Sequence, residues 1–216
     1  MNKNILFYTC ALLLLLPGLA FAGDFVFQTI DNLSGTGEMV IAPARNDGIN
    51  RLYATGFGLF EYTWQDSVWQ KATIQSGTGA PVALTAGFGR NDGIWRLYGA
   101  TGGKKLYEYS YEGGVWNAAL VESTINVDGS VKLGDIKNDD TIRIVAGGSD
   151  YVTMIYTYQT AGNTWRPETL DVNTNDIQGI AIGKGRNDDT NRVYTGGAIH
   201  SFMNIVLVIM FGVNIL

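Results

Sequence analysis

Two glutamates, Glu61 and Glu108, fall at matched places in two related stretches, "GLFEYTW" and "KLYEYSY". A pair of carboxylates is the minimum equipment for glycoside hydrolysis, one acting as acid and the other as base or nucleophile. The corresponding stretches downstream carry Thr157 and Ser201 at that place, so the carboxylate is not kept around the chain and no enzyme is expected. The single histidine, His200, lacks the matched nucleophile that Ser-His-Asp or Cys-His chemistry needs. Zinc, which needs several His or Cys ligands, is excluded in the same way. Two further sets recur at matched places: Arg51, Arg96 and Arg143, and Trp69, Trp116 and Trp165. In the first two copies each Arg and Trp is accompanied by Glu61 or Glu108. A fourth set, Asp135, Asn138, Asp139 and Asp140, crowds side-chain oxygens into one loop, the ligand chemistry of a hard cation such as calcium.

These residues stand in register because the chain repeats. "RNDGINRLY" beginning at Arg45 returns as "RNDGIWRLY" at Arg90, "KNDDTIRIV" at Lys137 and "RNDDTNRVY" at Arg186, at spacings of 45, 47 and 49 residues. A period in this range is that of propeller blades. Each unit reads alike. A strand of small residues ("MVIAPA", "VALTAGF", "SVKLGDI", "IQGIAIG") precedes the loop and a second strand ("RLYATG", "RLYGATG", "RIVAGG", "RVYTGG") follows it. An aromatic strand comes next, and then a polar turn and a Trp-bearing strand ("VWQKATI", "VWNAALV", "TWRPETL"). Four short strands separated by turn signals make one blade. The first strand is small because blades converge toward their axis, and the aromatics fill the wider space farther out.

The loop has a structural reading of its own. Asn, Asp and Gly tolerate the positive φ that a tight connection demands, and Asp47, Asp92, Asp139 and Asp188 can accept loop amides while nearby arginines close over their carboxylates. The predicted organisation is a secreted all-β propeller with about four repeats over 23–202, at 39–81, 82–129, 130–176 and 177–202. Phe25–Asp31 resembles a fourth strand without a blade and is expected to close the ring beside Ala198–Phe202. From Met203 the stretch 203–216, "MNIVLVIMFGVNIL", has no charge and no tryptophan. It is too short to span a bilayer alone, and it reads as the end of a truncated or frame-shifted relative of a longer propeller.

At the other end, Lys3, an apolar run and "AFA" before Gly23 make residues 1–22 a signal peptide cleaved near Ala22. The expected location is secreted or periplasmic, with no stable membrane span in the mature chain. Cys10, the one cysteine, lies in this segment, so no disulfide or thiolate ligand remains. Loss of Lys3, the single charge among these residues, moves the formal charge from −5 to −6. An acidic chain is poorly suited to nucleic acid, whose affinity comes from neutralised phosphates. With 16% charged residues and 28 glycines, the composition is that of a compact β protein.

Two family resemblances follow from these residues. The repeat layout over 25–202, with an Arg, a Trp and in two copies a Glu per unit, loosely resembles the fucose-binding and tachylectin-type lectin propellers. That resemblance implies sugars held in clefts between blades, with Arg51, Glu61, Trp69, Arg96, Glu108, Trp116, Arg143 and Trp165 as binding residues and weak, multivalent recognition. The same tryptophans also read as core between blades. "GDIKNDDTIRIVAGG" resembles, more weakly, the FG-GAP repeat of integrin-type propellers, which implies a calcium ion on Asp135, Asn138, Asp139 and Asp140. The other three loops place Arg where that motif has an acid. No other cofactor is expected. The partner is read as a glycan or a cell-surface protein, with a purely structural or protein-binding propeller as the alternative and self-association as a way to complete the ring.

Overall fold

The computed structural model describes residues 28–33, 35, 37–173, 175–199 and 202–208, with side chains described up to Gly197. The chain divides into two units, Met1–Asn32 and Leu33–Leu216. Of the first, residues 28–32 carry no strand. The expected closing strand therefore falls partly outside the described residues, and its described part, Gln28–Asp31, is not a strand.

The second unit holds four antiparallel sheets, each contiguous in sequence. The first comprises β1 (Met39–Ala42), β2 (Arg51–Thr55), β3 (Gly58–Gln65) and β4 (Val68–Ser76). The second comprises β5 (Ala83–Gly87), β6 (Arg96–Thr101), β7 (Lys105–Glu112) and β8 (Val115–Glu122). The third comprises β9 (Ser130–Gly134), β10 (Arg143–Gly147), β11 (Val152–Gln159) and β12 (Thr164–Val172). Each strand pairs with the next, the meander of a propeller blade. The fourth blade has β13 (Asp176–Gly183), β14 (Arg192–Ile199) and β15 (Phe202–Val208).

Tight turns follow their residues. The β3–β4 connection puts Asp66 and Ser67 at φ of 53° and 62°, and β7–β8 puts Gly113 and Gly114 at 60° and 86°. Positive φ at both central residues matches the twist of the flanking strands. In the fourth blade the second strand runs on: Ile177 pairs with Gly197 and Gly179 with Gly196, so these glycines extend the ladder instead of turning. Ile199, expected in the third strand, therefore ends the second. The first part of the apolar tail takes the third-strand place, from Ile199 opposite Phe202 to Val193 opposite Val208.

The core lies between blades. One cluster joins Ala42, Tyr53 and Leu59 of the first blade to Leu84, Leu97 and Tyr109 of the second. Another joins Tyr98 and Leu106 to Val131, Ile144 and Tyr156, and a third joins Val145 and Ile155 to Ile177, Ile180 and Val193. The outermost strand is bulged at one place in all three complete blades. The extra residues there, Ile74, Val121 and Leu170, pack against these clusters, so the bulge aims an apolar side chain at the neighbouring blade. Close approach of first strands explains their small residues: a Cβ on Gly134 would stand 2.8 Å from Ile182 Cγ2. First strands pack in succession, β1 on β5, β5 on β9 and β9 on β13, and no packing of that extent joins β13 to β1.

Candidate functional site

The repeated loop connects first and second strands at one end of every blade. Its Asp turns back on the first residue of the following strand. Asp47 Oδ1 and Oδ2 accept from Arg51 Nη1 and Nη2 at 2.8 and 2.7 Å, and Asp47 Oδ1 also accepts the Ile49 amide at 3.1 Å. Asp92 holds Arg96 at 2.8 and 2.9 Å, Asp139 holds Arg143 at 2.8 and 2.7 Å, and Asp188 holds Arg192. A two-pronged ion pair of this kind is both strong and directional. The guanidinium of Arg51 holds the Asp47 carboxyl at about 2, below its ordinary 3.8. Arg143 lowers Asp139 in the same way.

The loop Arg makes a second pair with the glutamate of the third strand. Arg45 Nε donates to Glu61 at 2.9 Å and Arg90 Nε to Glu108 at 2.9 Å, with Glu61 and Glu108 only 1% and 2% exposed. In the third blade both partners change together: Lys137 replaces the Arg, Ile155, opposite Val145 as Glu61 is opposite Tyr53, replaces the Glu, and the lysine turns to Glu168 at 2.8 Å. Thr157, expected at the glutamate's place, falls two residues later, where it accepts from Arg143 Nε at 3.2 Å as Thr63 accepts from Arg51 Nε at 3.1 Å.

The loop Asn works across the blade boundary. Asn46 Oδ1 accepts the Trp95 amide at 2.7 Å and its Nδ2 donates to the Trp95 carbonyl at 3.1 Å. Asn91 brackets Ile142 at 2.7 and 3.0 Å, and Asn138 brackets Asn191 at 2.7 and 3.3 Å. The strained loop serves this contact, since Asn46, Asn91 and Asn138 sit at φ of 61°, 59° and 57°, which Asn tolerates better than most residues.

The sugar-binding candidates are thus built into the frame. Arg51, Arg96 and Arg143 are 5–6% exposed and committed to Asp47, Asp92 and Asp139, while Glu61 and Glu108 are covered. Trp116 meets Tyr53 of the preceding blade edge-on at 5.8 Å, and Trp165 meets Tyr98 at 5.9 Å. Trp69 sits against Trp64 of its own blade at 5.3 Å. For calcium, Asp135 accepts the Asp139 and Asp140 amides at 3.1 and 3.0 Å, Asn138 is spent on Asn191, and Arg143 lies 3.9 Å from Asp135. Among the described residues no three His, Cys, Asp or Glu side chains converge on one point. His200 lies outside the described residues.

What the loop end does offer is a cleft of about 560 Å³ between the first two blades, with Asn46, Gly48, Ile94, Trp95, Tyr111 and Glu112 in its walls. Arg45 lies 4.4 Å over the Tyr111 ring and fixes it there, and Phe88 buttresses Trp95 at 4.7 Å. Beside the cleft Ile94 is 44% exposed, and its equivalent in the first loop, Ile49, is 52% exposed. The third and fourth loops have Thr141 and Thr190 at that place. Sequence reasoning missed Ile49, Ile94 and Trp95. The signal available was their position in the loop, two and three residues after the Asp, where a solvated turn has no need of large apolar side chains.

No family model matches the chain, and no curated protein matches it. Among solved structures, the crystal structure of BBS1N in complex with ARL6DN, soaked with lead, is similar over 83% of this chain with a TM-score of 0.50 and 16% sequence identity. The chain spans 59% of the length of that one. At such identity the likeness shows the fold: the chain is an all-β protein of propeller blades.

Proposed function

We propose that this chain is a non-enzymatic, exported interaction module that binds a protein partner at the loop end of its first two blades. The observation that carries this reading is the division of labour within one loop. The polar signature residues are spent on pairing with one another and with the next blade, while Ile94 is left exposed in the wall of a ready-made aromatic cleft and Ile49 is exposed at the equivalent place of the first loop. Ile94, Trp95 and the partly exposed Phe88 packed on it form a contiguous apolar patch rimmed by polar residues, the kind of surface that marks an interaction site. The similar BBS1N domain was captured in a complex with ARL6DN, which agrees with a binding role.

Carbohydrate recognition is the second reading, supported by Trp95 and Tyr111 sharing the cleft with Ser110 and Glu112, an aromatic plate with polar groups beside it. It belongs to this one cleft, because Ile142 replaces the Trp at the next boundary. Fluorescently labelled chain is applied to intact cells before and after mild surface proteolysis, and in parallel to a glycan array. Binding that is lost on proteolysis and absent from the array is expected; protease-resistant binding with array signals selects the sugar, and no binding in either overturns both.

A further inference from the structure

Each boundary between complete blades is assembled from the same parts. The loop Asn of one blade brackets the backbone of the next, as Asn46 does for Trp95 and Asn91 for Ile142. The loop Arg lies over a third-strand ring of the next blade, Arg45 on Tyr111 at 4.4 Å and Arg90 on Tyr158 at 4.5 Å. The outer Trp of the next blade comes back onto a second-strand Tyr, Trp116 on Tyr53 and Trp165 on Tyr98. A first-strand apolar residue is sealed between them, Leu84 at one boundary and Val131 at the other.

The two end blades carry the halves of this joint separately. On the fourth blade, Asn187 keeps the loop geometry at φ 57°, but among the described residues it brackets no backbone and Arg186 covers no ring. Tyr194 stands at the place of Tyr53 and Tyr98, and Gly185 lies under its hydroxyl as Gly89 lies under that of Tyr98. Where Trp116 and Trp165 fill the space over those tyrosines, Tyr194 borders two grooves of about 410 and 340 Å³, walled by Ile180, Ala181, Ile182 and Gly196. On the first blade, Met39 and Ile41, in register with the sealed Leu84 and half-buried Ala86, are 71% and 70% exposed. Among the described residues Trp69 has no second-strand tyrosine to meet, and Trp64, at the place of Tyr111 and Tyr158, is 50% exposed with no Arg over it.

We propose that these faces are the two sides of one joint between copies of this chain: the first blade of a second copy seats on the fourth blade of the first, head to tail. Trp69 then enters the groove over Tyr194, Arg186 covers Trp64, and Asn187 brackets the backbone at Asn50, the residue in register with Trp95 and Ile142. Second copies fit better than an unrelated partner because every missing piece on one face is present on the other, in the arrangement that the chain already uses at its internal boundaries. Two features oppose docking, the first being that Tyr62, at the place of Tyr109 on this face, is already covered at 2% exposure. The second is that Lys71, where the other blades have Ala118 and Pro167, lies 4.0 Å over the Phe60 ring on the first blade's face and must be displaced.

Sedimentation equilibrium on the purified chain tests this. Expected is a concentration-dependent mass above the monomer at up to about 0.1 mM, with association weakened at least about tenfold by Ile41→Glu or by Ala181→Glu and strengthened by Lys71→Ala. Both glutamates go to surface positions, and circular dichroism checks that the variants fold. Mixing Ile41→Glu with Ala181→Glu restores a dimer and nothing larger, since each supplies the intact face the other lacks. A chain that stays monomeric throughout, variants that associate like the parent, or a mixture that fails to pair overturns the proposal. A head-to-head contact is recognised by loss with Ile41→Glu but not with Ala181→Glu, which also overturns it.

Discussion

The carboxamide of Asn46 closes a two-point bracket on the backbone of Trp95, accepting its amide at 2.7 Å and donating to its carbonyl at 3.1 Å, across the boundary between the first and second blades. The contact imitates one rung of a sheet ladder where no strand pairing exists. It explains why Asn holds this loop position at the three internal boundaries: a side chain must present a donor and an acceptor together from a left-handed backbone.

Asn91→Ala, which removes the bracket on Ile142, is expected to cost about 1–2 kcal/mol from two exposed hydrogen bonds. Asn187→Ala should change the stability of the isolated chain by less than about 0.5 kcal/mol, as surface changes away from such features do. Urea unfolding of both variants checks the difference. Equal losses would show that the residue serves its own turn and not the boundary.

The loop aspartates set the acid limit. Asp47 is held at about 2 by the Arg51 fork, and Arg192 holds Asp188 at about 2, both below the ordinary 3.8. A carboxylate whose folded pKa is depressed contributes stability that is fully present above its unfolded pKa and lost as pH falls through the folded one. Stability should therefore decline between about pH 4 and pH 2. Asp47→Asn should be less stable than the parent at pH 7, with the gap narrowing across that window. A gap independent of pH would place the effect outside this ion pair.

Calcium should leave the melting temperature unchanged, whether millimolar ion or chelator is added. The third loop has the oxygens but has already used them: Asp139 on Arg143, Asp135 on two amides and Asn138 on Asn191. A rise in melting temperature that Asp135→Asn abolishes would contradict this.

The tryptophans should differ by place. Trp116→Ala exposes Tyr53 and opens a gap between two blades, with an expected loss of about 3 kcal/mol. Trp69→Ala, on a face with no preceding blade, should cost well under half as much. Thermal unfolding of the two variants decides; equal costs would mean that Trp69 is also packed between blades.

The repeat was legible because its period and strand order are written in local residues: small first strands, aromatic third strands and turn residues at fixed offsets. The all-β fold of antiparallel blades followed from these. The recurrence of Arg and Trp could be read equally as a ligand site or as a frame, because recurrence gives the place of a residue in the blade and not the direction of its side chain. Arg51 and Glu61 are covered by pairings that join residues 4 to 16 apart in sequence, and the cross-blade role of Asn46 links residues 49 apart. Neither is visible until the strands are laid side by side. Ile94 was passed over for the opposite reason, an apolar side chain in a loop dominated by charge.

Asp92 and Ile94 stand two residues apart in one loop, yet one is assigned to the frame and the other to the binding surface. The most direct measurement is to make Asp92→Ala and Ile94→Asp separately and to record urea unfolding and cell-surface binding for each. Asp92→Ala should lose about 1–3 kcal/mol by leaving Arg96 without its carboxylate, and should bind as the parent does under conditions where it is folded. Ile94→Asp should unfold like the parent and lose most of the binding. A stable Asp92→Ala that no longer binds, beside an Ile94→Asp that still does, would contradict the account.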